Sequence, residues 1–258
     1  MMSGLREMSS RKINTKYLTG KTYVNLIEIL ARISHVSAKT ADSHLEENEK
    51  NWNEYFPKQN TKFIERQWEL DMLKYGSYRK FLSDIFMKDQ PFVAARNACE
   101  VISVYNALVD LGLNDENTTF PKLLNYFEKH ESVLKGYFGT SFTGLVRYFK
   151  KNGFGTYVVA GKKITKENLD RMEKEYATYI FMSYNNSENI ADMIHTMSIT
   201  REEKGFFIHN SYAKVIYFES LYEAVIKYNE TFGWVSRPII VMGINKPEKE
   251  NNIQDGVS

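Results

Sequence analysis

The chain carries a single cysteine, Cys99, among 258 residues. One thiol cannot build an intrachain disulfide framework or a cysteine-rich zinc site. Long apolar runs are missing as well. No stretch approaches the roughly 18 apolar residues of a membrane span, and the basic start, Met1 to Lys12, lacks the apolar core of a signal peptide. Excess charge of one sign is absent. A formal net charge of +2 with 26% charged residues leaves no basic stripe of the kind a dedicated nucleic-acid binder needs. Gly153 and Gly155 have no strand–loop–helix context for a phosphate loop. His35, His44 and His130 are scattered, and no histidine pair shows metal-ligand spacing, so neither a metal nor a cofactor is expected. There is no internal repeat. What remains is a globular composition, 43% hydrophobic and 14% aromatic. It is read as a cytoplasmic protein, with no nucleic-acid or membrane partner.

The spacing of apolar residues divides the chain. Over residues 1–75, Tyr23, Leu26, Ile27, Leu30 and Ile33 form one amphipathic stripe; Phe63, Ile64, Trp68, Met72 and Leu73 form another. The charged stretch Asp42 to Lys58 between them reads as a connection or a solvated helix face. Residues 1–75 are therefore expected as a helical extension, with Trp68 in its core. A propeptide-like lid over a cleft is the competing role. From Cys99 the texture changes. Val101, Val104, Tyr105, Leu108 and Leu111 recur at helical spacing, and Gly112 stops the run. Thr118 to His130, with Pro121 in its first turn, and Ser141 to Gly153 read as further helices. Short β-branched or aromatic segments follow: Tyr157 to Ala160, Ala177 to Tyr184, Met193 to Thr200, Gly205 to Asn210 and Pro238 to Ile244. Helices over Thr165 to Lys174 and Glu219 to Asn229 interleave with them. The order predicts an α+β domain over residues 76–246, helices first and an antiparallel sheet second, with a disordered tail over 247–258.

Cysteine, histidine and asparagine occur in the order Cys99, His195, Asn210. Cys99 opens its helix, where the macrodipole favours the thiolate. His195 lies in an apolar strand and is the candidate acid/base. The loop from Arg201 to Gly205 returns the chain antiparallel and brings Asn210 beside it, where a side-chain oxygen would fix the imidazole tautomer. His209 has the opposite strand phase to Asn210 and is the alternative base. An oxyanion hole needs amide donors near the thiol. Asn97 and Gln90 are the two nearby side-chain amides.

The segment Asn97-Ala-Cys-Glu-Val-Ile-Ser-Val-Tyr-Asn-Ala-Leu108 resembles the nucleophile helix of papain-like cysteine peptidases related to the bacteriocin-processing, double-glycine peptidases. Phe138-Gly-Thr-Ser-Phe-Thr-Gly-Leu-Val-Arg-Tyr-Phe-Lys-Lys-Asn-Gly153 resembles the helix that follows there. Ile194-His-Thr-Met-Ser-Ile199 and Gly205-Phe-Phe-Ile-His-Asn210 resemble the base and orienter strands. The likeness spans about Gln90 to Ile244. It implies a papain-like fold with Cys99 as nucleophile, His195 as base and Asn210 as orienter, acting on a peptide or acyl-peptide through a thioester. Glu100 stands where such peptidases often carry glycine. An acyltransferase using the same residues and a catalytically silent peptide-binding module are the alternatives.

Overall fold

The computed structural model describes residues 35–56, 63–77, 92–184, 194–211, 217–228 and 237–248, together with Asn25, Ile29 and Leu30. Most of the stripe from Tyr23 to Ile33, the oxyanion candidate Gln90 and the residues after 248 lie outside them.

The charged stretch after residue 37 is a helix, α1 (Ala38–Tyr55). The Ser37 hydroxyl caps it by accepting from the Thr40 N–H at 3.2 Å. Its Ala41 and Asn48 are buried while most of its acidic residues face outward. A short turn, α2 (Ala94–Asn97), leads through Ala98 into α3 (Cys99–Asp110). Then come α4 (Phe120–His130), with Pro121 in its first turn, and α5 (Phe142–Lys151), capped by the Ser141 hydroxyl on the Gly144 N–H. The remaining elements are β1 (Phe154–Ala160), α6 (Lys166–Glu175), β2 (Thr178–Tyr184), β3 (Ile194–Glu202), β4 (Gly205–His209), β5 (Tyr217–Phe218), α7 (Leu221–Lys227) and β6 (Arg237–Pro247). The strands form one antiparallel sheet in the order β1-β6-β2-β3-β4-β5. The molecule is thus α+β.

Strand alternation gives the sheet two apolar faces. Ile180 and Met182 of β2 and Met242 and Ile244 of β6 turn toward the larger core, with α3, α4 and α5. Tyr179, Phe181, Met197, Ile199 and Val241 turn the other way, onto α6 and α7. A register shift between β2 and β6 after Met182 lets Ile239 and Ile240 both join the larger core. Helix α3 is the central element: Val101, Ile102, Val104, Ala107 and Leu108 are all buried between the sheet and the other helices. Each of its fully buried Val or Ile side chains contributes on the order of 1.5–3 kcal/mol.

Residues 63–75 depart from the expected helix. They form an irregular strap with one 3-10 turn, Gln67–Glu69, and a bridge from Lys74 to Val93. Ile64, Leu70, Leu73 and Tyr75 enter the larger core, but Trp68 is 52% exposed. A helix would have put Trp68 on the same stripe as Ile64. The strap follows instead from side-chain amides that capture its backbone: Asn106 of α3 accepts from the Ile64 N–H at 2.8 Å and donates to its carbonyl at 3.0 Å. Asn48 does the same for Lys74, at 2.6 and 2.9 Å. Backbone groups held this way are unavailable to a helical ladder. The N-terminal segment around α1 and the strap shares the core of the domain that follows: Val36 donates to the Glu128 carbonyl of α4 at 3.2 Å, and α1 packs on α4.

Candidate active site

Cys99 is the first residue of α3 and is buried. The positive end of this helix acts on its neighbour. Glu100 lies in the first turn, fully enclosed, with its carboxylate oxygens 3.4 Å from the Thr140 N–H and 3.5 Å from the Thr196 hydroxyl. The Cys99 thiol lies against the same carboxylate and against Thr196, the two residues that act on its ionisation. Gly139 makes room for this arrangement. Its φ is +64°, and a Cβ there would fall 2.7 Å from the Glu100 carboxylate and 3.1 Å from the Asn97 carbonyl.

These surroundings overturn the expected thiolate. Burial, then the negative charge of Glu100, pushes the Cys99 thiol well above its ordinary range; the Thr196 N–H pulls the other way and is outweighed. Burial also raises the Glu100 carboxyl to about 7. The resting centre is therefore a thiol beside a carboxyl, two enclosed groups competing for protons.

The polar network extends inward from there. The Thr140 side chain meets the Tyr75 hydroxyl, and Gly76, next in the strap, donates its N–H to Glu128 at 2.8 Å. Glu128 in turn faces the His44 ring at 2.8 Å. Burial raises the Glu128 carboxyl, against the His44 ring and the Gly76 N–H, and raises the Tyr75 phenol.

His195 stands in β3 directly before Thr196, and strand alternation turns its ring to the face of Met197 and Ile199, opposite the face on which Thr196 meets Glu100, so the structure does not bring the expected base to Cys99. The groups that set the sulfur's acidity are Glu100 and Thr196. The His195 ring is buried, and its Nε2 lies 2.6 Å from the Asn210 backbone carbonyl. A carbonyl only accepts, so Nε2 carries the hydrogen and Nδ1 is the basic nitrogen of the neutral ring. Burial holds this imidazole down at about 4, against a small opposing effect of the Asn210 carbonyl.

Asn210 touches His195 through its backbone, where a side-chain contact was expected. It follows β4 with φ +56°, a left-handed conformation that asparagine tolerates. That turn swings its side chain onto the strap. Its Oδ1 accepts from the Gln67 N–H at 3.1 Å, and its Nδ2 donates to the Gln67 side-chain oxygen at 3.3 Å. Gln67 then reaches the Ala94 carbonyl at 3.3 Å, so one amide pair joins the end of β4 to the turn before Cys99. Gln67 was missed in the sequence. Its signal is faint: an amide one residue before Trp68, without motif or spacing.

His209 faces away from this pair. Its Nε2 lies 2.9 Å from the Thr200 hydroxyl, its Nδ1 2.6 Å from Glu65, and its ring stacks on Phe63 at 3.9 Å. Both side chains end on the strap, His209 on Glu65 and Asn210 on Gln67, because the left-handed φ takes Asn210 out of the strand's alternation. Asn97, two positions before Cys99, is buried, and its side-chain Nδ2 has no partner among the described residues. That is the state an oxyanion donor needs before substrate arrives.

Among the described residues no group of three His, Cys, Asp or Glu side chains could hold a metal, and no helix is long and apolar enough to cross a membrane. The architecture is that of an α+β protein with a buried thiol–carboxyl centre between its central helix and its sheet. Comparison with protein-family models, curated proteins and solved structures finds no match.

Proposed function

We propose that this protein is a papain-like cysteine hydrolase that cleaves a peptide or acyl-peptide bond through a thioester on Cys99. The observation that carries the reading is the Asn97 side-chain amide, buried two positions before the Cys99 thiol at the start of α3 and without a partner among the described residues. In the proposed cycle Cys99 Sγ attacks the substrate carbonyl, and the oxyanion meets the Cys99 backbone N–H and the unpaired Asn97 amide. The amine departs and water hydrolyses the thioester. Catalytic hydrogen bonds in free enzymes are often loose and tighten only with substrate. The raised thiol of the resting state fits a centre that ionises on that occasion. An amine in place of water would make the same cycle an acyl transfer.

The test is a peptide library incubated with wild type, Cys99→Ala and Asn97→Ala, with new termini read by mass spectrometry. Cleavage by wild type and by neither variant is the expected result, and product capture by added amines separates transfer from hydrolysis. Glu100 favours a second reading, a catalytically silent peptide-binding module, because a carboxylate against the sulfur opposes the thiolate. Peptide retention without any cleavage by wild type would establish that reading instead.

A further inference from the structure

The Glu100 carboxyl has no stabilising cation among its described partners, yet it is enclosed and aimed at the reacting atom. Its contacts are the Cys99 thiol, the Thr140 N–H and the Thr196 hydroxyl, and Gly139 leaves only enough room for it. A carboxylate whose sole effect were repulsion would be a costly thing to bury in that place. Glu100 adjoins Cys99 in the first turn of α3, and Thr196 of β3 meets both groups, so thiol and carboxyl share one enclosed place between helix and sheet.

We infer that Glu100 is a catalytic residue: it takes the Cys99 proton as the sulfur attacks. This rests on the hydrolase reading above and deepens it. As the S–C bond forms, the thiol proton passes to a Glu100 oxygen and the carbonyl π electrons move to the oxyanion. As the C–N bond breaks, the same proton goes from Glu100 to the leaving nitrogen, so the carboxyl ends acylation ionised and charge balances. Glu100, ionised again, then takes the proton of the water that attacks the thioester and returns it to the Cys99 sulfur as the C–S bond breaks. Thr140 and Thr196 position the carboxyl by donating to it. The geometry also suits the acidities. Glu100 titrates at about 7 and the buried imidazole at about 4, which makes the carboxylate the stronger base toward the thiol. The titratable groups around this centre, among the described residues, are Cys99 on α3, Tyr75 on the strap, Glu128 on α4 with His44 of α1 behind it, and, on the other face of β3, His195.

Because the chain has one cysteine, alkylation by iodoacetamide reports Cys99 alone. In wild type the rate should rise with pH to an inflection near 7, where Glu100 ionises, and then flatten. Glu100→Gln should lose that inflection and react on the order of a hundredfold more slowly at pH 7.5; Glu100→Asp should recover part of the rate. A carboxylate that only suppresses the thiolate gives the opposite sign, a faster Glu100→Gln protein, and that result would overturn the inference. If Glu100→Gln fails to fold by circular dichroism, the wild-type profile decides alone: a log-linear rise through pH 7 refutes the role. Failure of the hydrolase reading looks different, as Glu100-dependent alkylation with no peptide cleavage. Peptide cleavage by Glu100→Gln with an unaltered pH profile would remove Glu100 and leave the hydrolase standing.

Discussion

Replacing Asn210 by alanine and by glycine separates the two things this residue does. Its side chain exchanges two hydrogen bonds with Gln67, and its backbone holds φ at +56°. Alanine removes the bonds and leaves a buried Gln67 N–H unpaired, which costs about 2 kcal/mol. It also places a Cβ in the left-handed region at about 1 kcal/mol more. Asn210→Ala should therefore lose about 3 kcal/mol, a Tm decrease of roughly 6–12 °C for a chain of this length. Asn210→Gly loses the same bonds without the strain and should be about 1 kcal/mol better than alanine. Both variants keep the carbonyl that holds His195, so both should retain the imidazole tautomer and, once folded, most of the turnover. Urea unfolding and calorimetry supply the stabilities, and a double-mutant cycle with Gln67→Ala should yield a coupling of about 1 kcal/mol or more. Equal losses for alanine and glycine would refute the strain argument. Stability within about 0.5 kcal/mol of wild type would refute the amide latch, and complete loss of turnover in two stable variants would return the orienter role to the side chain.

Acid should destabilise the protein through His195. The unfolded ring takes up a proton below its ordinary 6.5 and the buried ring refuses it until about 4, so stability falls as pH drops across that window, by about 3 kcal/mol. Unfolding of His195→Gln as a function of pH should lack this fall. Glu100 has the opposite sign. The folded carboxyl keeps to about 7 a proton that the unfolded chain releases near 4.5, so stability falls by about 3 kcal/mol as pH rises across that window, and Glu100→Gln should remove the loss. Trp68→Ser should leave urea stability within about 0.5 kcal/mol of wild type because the ring is half in solvent, whereas Phe149→Ala in the core should cost roughly 3–5 kcal/mol. Equal effects at the two positions would put Trp68 back in the core. Gly139→Ala should destabilise the protein and alter Cys99 alkylation together, since its methyl would press on the Glu100 carboxylate.

Local chemistry alone determined much of this molecule. Capping hydroxyls at Ser141, Thr165 and Ser220, Pro121 in a first turn, and alternation in the strands are one-dimensional signals, and helices α3 to α7 and five of the six strands among the described residues stand near the places they mark. The start of α3 at Cys99 is of the same kind. Residues 63–75 were not legible. Their backbone is held by Asn48, Asn106 and Asn210, from α1, α3 and the end of β4, and no periodicity within the strap records partners so distant. The ionisation of the site was not legible either. A helix N-terminus predicts a thiolate, but desolvation and a neighbouring carboxylate exceed the macrodipole, and both act only once the sheet covers Cys99 and Gly139 closes on the Glu100 carboxylate. Asn210 shows the division within one residue. Chain order brought it beside His195, but a left-handed φ decided that its carbonyl, and not its amide, meets the ring. Sequence determines which groups are available and where the chain turns; burial and the direction of each bond belong to the packed structure, because both depend on atoms far away along the chain.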